Sequence, residues 1–334
     1  MREAPLTRIE QQWVPASIWW LAAGYGAAYA IFTFITQWHA SLGRGPADPV
    51  VAGLSLLTGA TVALLLVLPV AAVLLGRRAG ESRLQIGDGQ MVLSGLATTG
   101  IALSTITAFT LGGVSVVLAL LLMRGGVLIL APVVDHLHRR TIRPVARLAL
   151  LLSLAAVALP LMVKRDGGPT WPLLLTLAVY LTSYFIRLGV MNRAAKVLQP
   201  GVRARFCSRE FLFTWCTLAI VVMIGVLWQT TVLNVSLPAT IVPAGSAVAV
   251  GLSYSVVLVA GTLVYLDPRE NSFTVPLNRA ASVAGGVMGA TLAWQTLVGS
   301  MPAMVDYLAA GIILIALVLL ARDGWVLSVR SEQA

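Results

Sequence analysis

The sequence predicts an all-α polytopic membrane protein, with ten transmembrane helices arranged as two inverted five-helix repeats. Composition is the first reason: of 334 residues, 58% are hydrophobic and 11% charged, with a mean hydropathy of +0.88, whereas soluble domains carry about 25% charged residues. The second is a series of apolar runs, each long enough to cross about 30 Å of hydrocarbon. The third is that Lys and Arg gather in alternate connections between those runs.

The runs span approximately 16–37, 50–75, 89–110, 114–136, 143–163, 171–192, 210–229, 240–265, 274–298 and 303–321. The first, WWLAAGYGAAYAIFTFITQW, is longer than the apolar core of a signal peptide and leads into HASLGRG without a small-residue cleavage site, so it is expected to remain in the mature protein. A polar turn, KRDGGPT at 164–170, divides a first repeat (1–163) from a second (171–334). Because each half holds an odd number of spans, the second copy is inverted in the membrane, a layout that builds transporters around a midplane site.

Orientation follows from the basic residues. With the N-terminus cytoplasmic, the inward segments hold seventeen of the 23 Lys and Arg side chains and the outward segments only Arg44, Lys164 and Arg165. Arg124, Arg187 and Arg279 fall inside spans. Both termini are therefore expected in the cytoplasm, in a bacterial inner (plasma) membrane. The net charge of +10 is distributed among these connections, not gathered in one patch, so nucleic acid is not an expected partner.

Arg124 and Arg279 lie in the fourth and ninth spans, corresponding helices of the two halves, within MRGG and NRAA. A guanidinium in hydrocarbon costs at least about 2.5–3.5 kcal/mol, so each calls for a buried partner or a polar cavity. A cavity role points to phosphate or carboxylate, because a guanidinium stays charged and grips two oxygens through parallel hydrogen bonds. The structural alternative is a tie to Glu210, Asp267, Glu270 or Asp306, all near predicted span ends, which the arginines would reach only by snorkelling. For Arg187 the balance tilts toward a structural role. Further candidates for hydrogen bonding or stacking are Tyr25, Ser104, Tyr184 and Tyr254, with Ser282 on the helical face of Arg279.

Other features carry less chemistry. Cys207 and Cys216 lie in or just after the basic loop AAKVLQPGVRARFCSRE, on the reducing side or in the membrane, where a disulfide is not expected. Asp135, His136 and His138 form a DHLH string expected at a solvated helix end, and no metal site, cofactor or catalytic residue is predicted. The many Trp residues near span ends fit an interfacial belt, and Gly285 with Gly289 marks close helix packing. No acid or His lies convincingly within a span, Asp135 and Glu210 being nearest at the cytoplasmic edge, so a facilitator or exchanger is expected in preference to a proton-driven pump.

The passage LILAPVVDHLHRRTIRPVARLALLLSLAAVALPLM, with its counterpart VPLNRAASVAGGVMGATLAWQTLVGSMPAMVDYLAAGIILIALVLL, resembles the fourth-to-fifth helix region of the drug/metabolite transporter superfamily. Where that family has Gly-Glu after the fourth helix, this chain has Val134-Asp135, and Gly299-Ser300 stands in the second copy. The resemblance implies a central cavity lined by helices one, three, four, six, eight and nine. Three functions remain open. They are a secondary transporter of an anionic organic solute, phosphorylated solutes among them; a translocase of a lipid or lipid-linked phosphate; and a membrane-embedded enzyme or assembly subunit. The first two, which are not enzymes, fit the arginine pair best. The expected partners are an anionic small-molecule or lipid-phosphate substrate and membrane lipids, with the protein a monomer or homodimer.

Overall fold

The computed structural model describes residues 14–42, 49–79, 87–110, 116–139, 142–163, 171–194, 200–231, 245–267, 269, 271–296, 304–305, 307–316 and 318–319. Among these residues there is no strand. The helices are α1 (Val14–Leu42), α2 (Pro49–Arg78), α3 (Asp88–Thr110), α4 (Val116–Leu137) and α5 (Pro144–Val163). They continue with α6 (Trp171–Ala194), α7 (Pro200–Thr231), α8 (Gly245–Tyr265), α9 (Asn271–Thr296) and α10 (Tyr307–Ala316). Each predicted run overlaps one helix. The 164–170 turn, Glu270 and Asp306 lie outside the described residues.

Local chemistry sets several helix ends. α2, α5 and α7 open on proline, whose missing N–H falls where a helix has no acceptor to offer. Just beyond α4, Arg139 takes a left-handed conformation (φ 52°), which stops the helix. Pro132 in α4 and Pro276 in α9 interrupt the hydrogen-bond ladder inside their helices.

Six helices, α1, α2, α3, α6, α7 and α8, contain segments long and apolar enough to cross a membrane. Their outward faces carry large apolar side chains such as Leu66, Val70, Leu175 and Ile224, a surface suited to lipid. α9 is the opposite case. Every residue from Asn271 to Val283 is buried, although Asn271, Ser272, Thr274, Asn278, Arg279 and Ser282 are polar, so the first half of this helix forms the polar core of the bundle.

Helices pair mainly across the midpoint of the chain. α1 lies on α8 and α9, α2 on α7 and α8, α3 on α6 and α7, and α4 on α6 and α9. Small residues permit this closeness: a Cβ added at Gly285 would run into the carbonyl oxygen of Gly26, and one at Gly289 into that of Ala30. Backbone thus meets backbone along the α1–α9 seam, the kind of packing the Gly285/Gly289 spacing predicts.

The structure corrects the start of the seventh helix. Residues predicted as the tail of a basic loop are helical from Pro200, ten residues before the expected 210. Glu210 consequently sits well inside α7 and is completely buried, and Cys207 is buried in the same helix. Arg203, Arg205 and Arg209 mask its apolar character in the sequence while lying only half-buried along its first turns.

Candidate functional site

Six helices converge on a cavity of about 50 Å³: α1, α3, α4, α6, α8 and α9. Its wall is built from side chains repeating along single helix faces. Tyr25 and Tyr29 stand one turn apart on α1, as do Tyr180 and Tyr184 on α6, with Arg187 a turn further on. α8 contributes Tyr254, Thr262 and Tyr265, and α9 contributes Asn278 and Arg279. Arg124 enters from α4. At roughly 10–15 Å³ per water-sized site, the free space holds a few waters or one compact polar group.

The three arginines have different surroundings. The Nη2 of Arg124 donates to the Tyr29 hydroxyl at 2.6 Å, and its guanidinium carbon lies 4.9 Å from that ring centroid. Arg279 stacks over Tyr184, 5.0 Å from its centroid, and its Nε and Nη2 are buried with no hydrogen-bond partner among the described residues. Cation–π contact contributes about 0.5–2 kcal/mol, too little to replace the lost hydration of a guanidinium. Neither arginine has a carboxylate within ion-pair distance among the described residues.

Arg187 is fully paired. Its Nε and Nη2 donate to the two carboxylate oxygens of Glu210 at 2.9 and 3.1 Å, and Nη2 also donates to Thr262 Oγ1 at 2.7 Å. Ser94 and Thr98 donate to Glu210 Oε1 at 2.6 and 3.0 Å, completing a buried network across α3, α6, α7 and α8. The sequence expectation placed Glu210 at a span end. The longer α7 carries it into the interior, where it neutralises Arg187 without snorkelling. Asp267 pairs with Arg269 at 2.8 Å and reaches neither cavity arginine.

Asp135 is also corrected. It is not at a solvated helix end but completely buried, accepting from Asn271 N and Nδ2, both at 2.9 Å, and from Ser272 N and Oγ, both at 2.6 Å. The last turn of α4 thereby caps the first turn of α9, where backbone N–H groups lack acceptors and the helix dipole favours negative charge. The two histidines beside it take no part: His136 is exposed and His138 Nδ1 bonds the Val134 carbonyl oxygen at 2.8 Å. Next to the cap, Phe273 is bracketed by the guanidinium carbons of Arg143 and Arg269 at 5.2 and 4.7 Å, and by the edge of Trp19 at 6.2 Å.

Of the sequence candidates, Arg124, Arg187, Arg279, Tyr25, Tyr184 and Tyr254 line this cavity together. Ser104 and Ser282 do not: Ser104 donates to the carbonyls of Gly100 and Ile101, and Ser282 to that of Arg279, within their own helices. Sequence reasoning passed over Asn278 and Tyr265. Tyr265 Oη donates to Asn278 Oδ1 at 2.9 Å, and the amide nitrogen has no partner among the described residues. Asn278 had a signal, its place beside Arg279 in PLNRAAS, whereas Tyr265 falls at the last position of the predicted eighth span.

No protein-family model matches the chain, and no curated protein matches it. A solved structure described as "Crystal structure of protein" is similar in fold, with a TM-score of 0.56 at 17% identity, covering 89% of this chain and 97% of that one. Nearly the whole helical arrangement is therefore shared with a known structure.

Proposed function

We propose that the protein is a secondary membrane transporter that moves an anionic organic solute by alternating access, with both termini cytoplasmic in a bacterial plasma membrane. The observation that carries this reading is the pair of buried arginines, Arg124 and Arg279, in one cavity without a carboxylate among the described residues. A buried charge costs several kcal/mol unless it is paired. An arriving anion would supply the missing partner, and the surrounding hydroxyls would bind its remaining oxygens.

The helix pairing supports an inverted five-plus-five repeat. Advancing each helix number by five converts α1 on α8 and α9 into α6 on α3 and α4, and α2 on α8 into α7 on α3, all of which pack together. The pairs α2 with α7 and α4 with α9 map onto themselves. The six helices around the cavity are also those implied by the resemblance to drug/metabolite transporters. The small free space favours a compact solute over a lipid.

Glu210 and Asp135 are inside the bundle, contrary to the expectation that acids are absent there. Both are saturated with donors, so facilitation or exchange remains the proposed mode. Flux through reconstituted vesicles that follows an imposed pH gradient, and loses that dependence in Asp135→Asn or Glu210→Gln, would overturn it.

The site itself is tested by melting purified protein against sugar phosphates, nucleotides, carboxylates and neutral or cationic controls, with Arg124→Gln and Arg279→Gln alongside. One anion class should stabilise the wild type and neither variant, and the same class should cross the vesicle membrane. Stabilisation by neutral or cationic compounds alone would refute the anion reading.

A further inference from the structure

Asn278 and Arg279, adjacent on α9 and both lining the cavity, carry buried donors without acceptors among the described residues. Nε and Nη2 of a guanidinium share one edge, and their N–H bonds point in parallel, the geometry that grips two oxygens of one group. In Arg187 this edge is filled by the two oxygens of Glu210. In Arg279 the same two atoms are buried and lack an acceptor among the described residues.

Asn278 adds a third donor. Its Oδ1 is occupied by the Tyr265 hydroxyl, so the partner it still needs is an acceptor for Nδ2. Asn278 and Arg279 are only 1% and 6% exposed, so bulk water does not satisfy these groups. A buried donor left unpaired loses its hydration with nothing in return, making three on adjacent residues a large expense for a merely structural feature. Gly261 keeps the approach clear: a Cβ there would lie 3.4 Å from Asn278 Nδ2 and 3.0 Å from the Tyr25 ring.

We infer that the Nε/Nη2 edge of Arg279 and the amide of Asn278 form a three-donor cradle for a single phosphate-type oxoanion, with Asn278 as its specificity-determining residue. The guanidinium edge takes two oxygens. The amide, on a separate side chain, takes a third, which a phosphate monoester has and a carboxylate lacks. Neutral solutes leave the guanidinium uncompensated, and a halide cannot span the three donors. The inference deepens the proposed anion site and rests on that reading, but it does not depend on the anion being transported.

The test measures half-saturating concentrations from melting shifts of the full-length protein in detergent, using methyl phosphate and acetate at constant ionic strength. Wild type should bind methyl phosphate about tenfold more tightly than acetate, the worth of one hydrogen bond to a charged group at about 1.4 kcal/mol per tenfold. In Asn278→Ala the ratio should fall toward one through loss of phosphate affinity, with acetate binding unchanged. Tyr265→Phe, which frees the amide to turn, should lower the ratio in the same direction without emptying the site.

An unchanged ratio in Asn278→Ala, with Arg279→Gln still abolishing both shifts, would overturn the cradle and leave the anion site standing. Wild-type protein indifferent to both anions would overturn both. Phosphate binding with the expected Asn278 dependence but no flux in reconstituted vesicles would uphold the cradle and sink the transporter.

Discussion

Arg187 and Arg279 are the same residue type, both are buried, and both border one cavity, yet their surroundings differ in one decisive respect. Arg187 is closed by a carboxylate that receives two further hydroxyl donors. Arg279 is held by the face of an aromatic ring, with its bidentate edge unfilled. Burial of an arginine therefore says little by itself. What separates a structural tie from a ligand site is whether the protein supplies the counter-charge.

The sharpest way to break this contrast is to remove the counter-charge where it exists. Glu210→Gln leaves Arg187 buried and unpaired and should destabilise the fold by about 3–5 kcal/mol, read as a large drop in melting temperature. A mild effect would mean that Arg187 is no tie. Asp135→Ala comes next: four donors at the start of α9 lose their acceptor, for an expected loss of about 2–4 kcal/mol, since water and local shifts recover part of the cost. Hydrogen exchange should then quicken in the first turn of α9 before it changes elsewhere.

Tyr29→Phe removes the hydrogen bond that Arg124 makes to a side chain among the described residues and should cost about 1.5–3 kcal/mol without ligand. A cost below that range would indicate that Arg124 relaxes onto another acceptor. The smallest stability effect is expected for Arg279→Gln, within about 1 kcal/mol of wild type or slightly stabilising, because it deletes an uncompensated charge instead of exposing one. Unfolding far below wild type would place Arg279 with Arg187 as a tie.

Much of this contrast was open to sequence reading, and the rest failed for identifiable reasons. Arg124 and Arg279 stand out because charge inside an apolar run is rare, and Tyr25, Tyr184 and Tyr254 because each puts a polar hydroxyl inside an apolar span. The ion pair was hidden because the first ten residues of α7 carry Arg203, Arg205 and Arg209, a pattern that reads as a connecting loop and draws the predicted span start onto Glu210 itself. Asp135 was misplaced because hydropathy locates a helix end without revealing what packs against it. Its partners, Asn271 and Ser272, lie in another helix far along the chain. Ser104 and Ser282 illustrate the reverse error: a hydroxyl in a membrane helix commonly bonds back to a carbonyl of its own turn, and both do so here.

The seam between α1 and α9 has a consequence for how the molecule is made. The backbone that packs against Gly26 and Ala30 belongs to the α9 glycines, far along the chain, and the other main partner of α1 is α8. A ribosome delivers α1 to the membrane long before either partner exists. Until then the tyrosine-bearing face of α1 must be sheltered by lipid, by the insertion machinery or by a provisional neighbour. Assembly of the bundle is thereby deferred until synthesis is almost complete, and a chain stopped before α8 would leave its first helix unmatched and open to quality-control proteolysis.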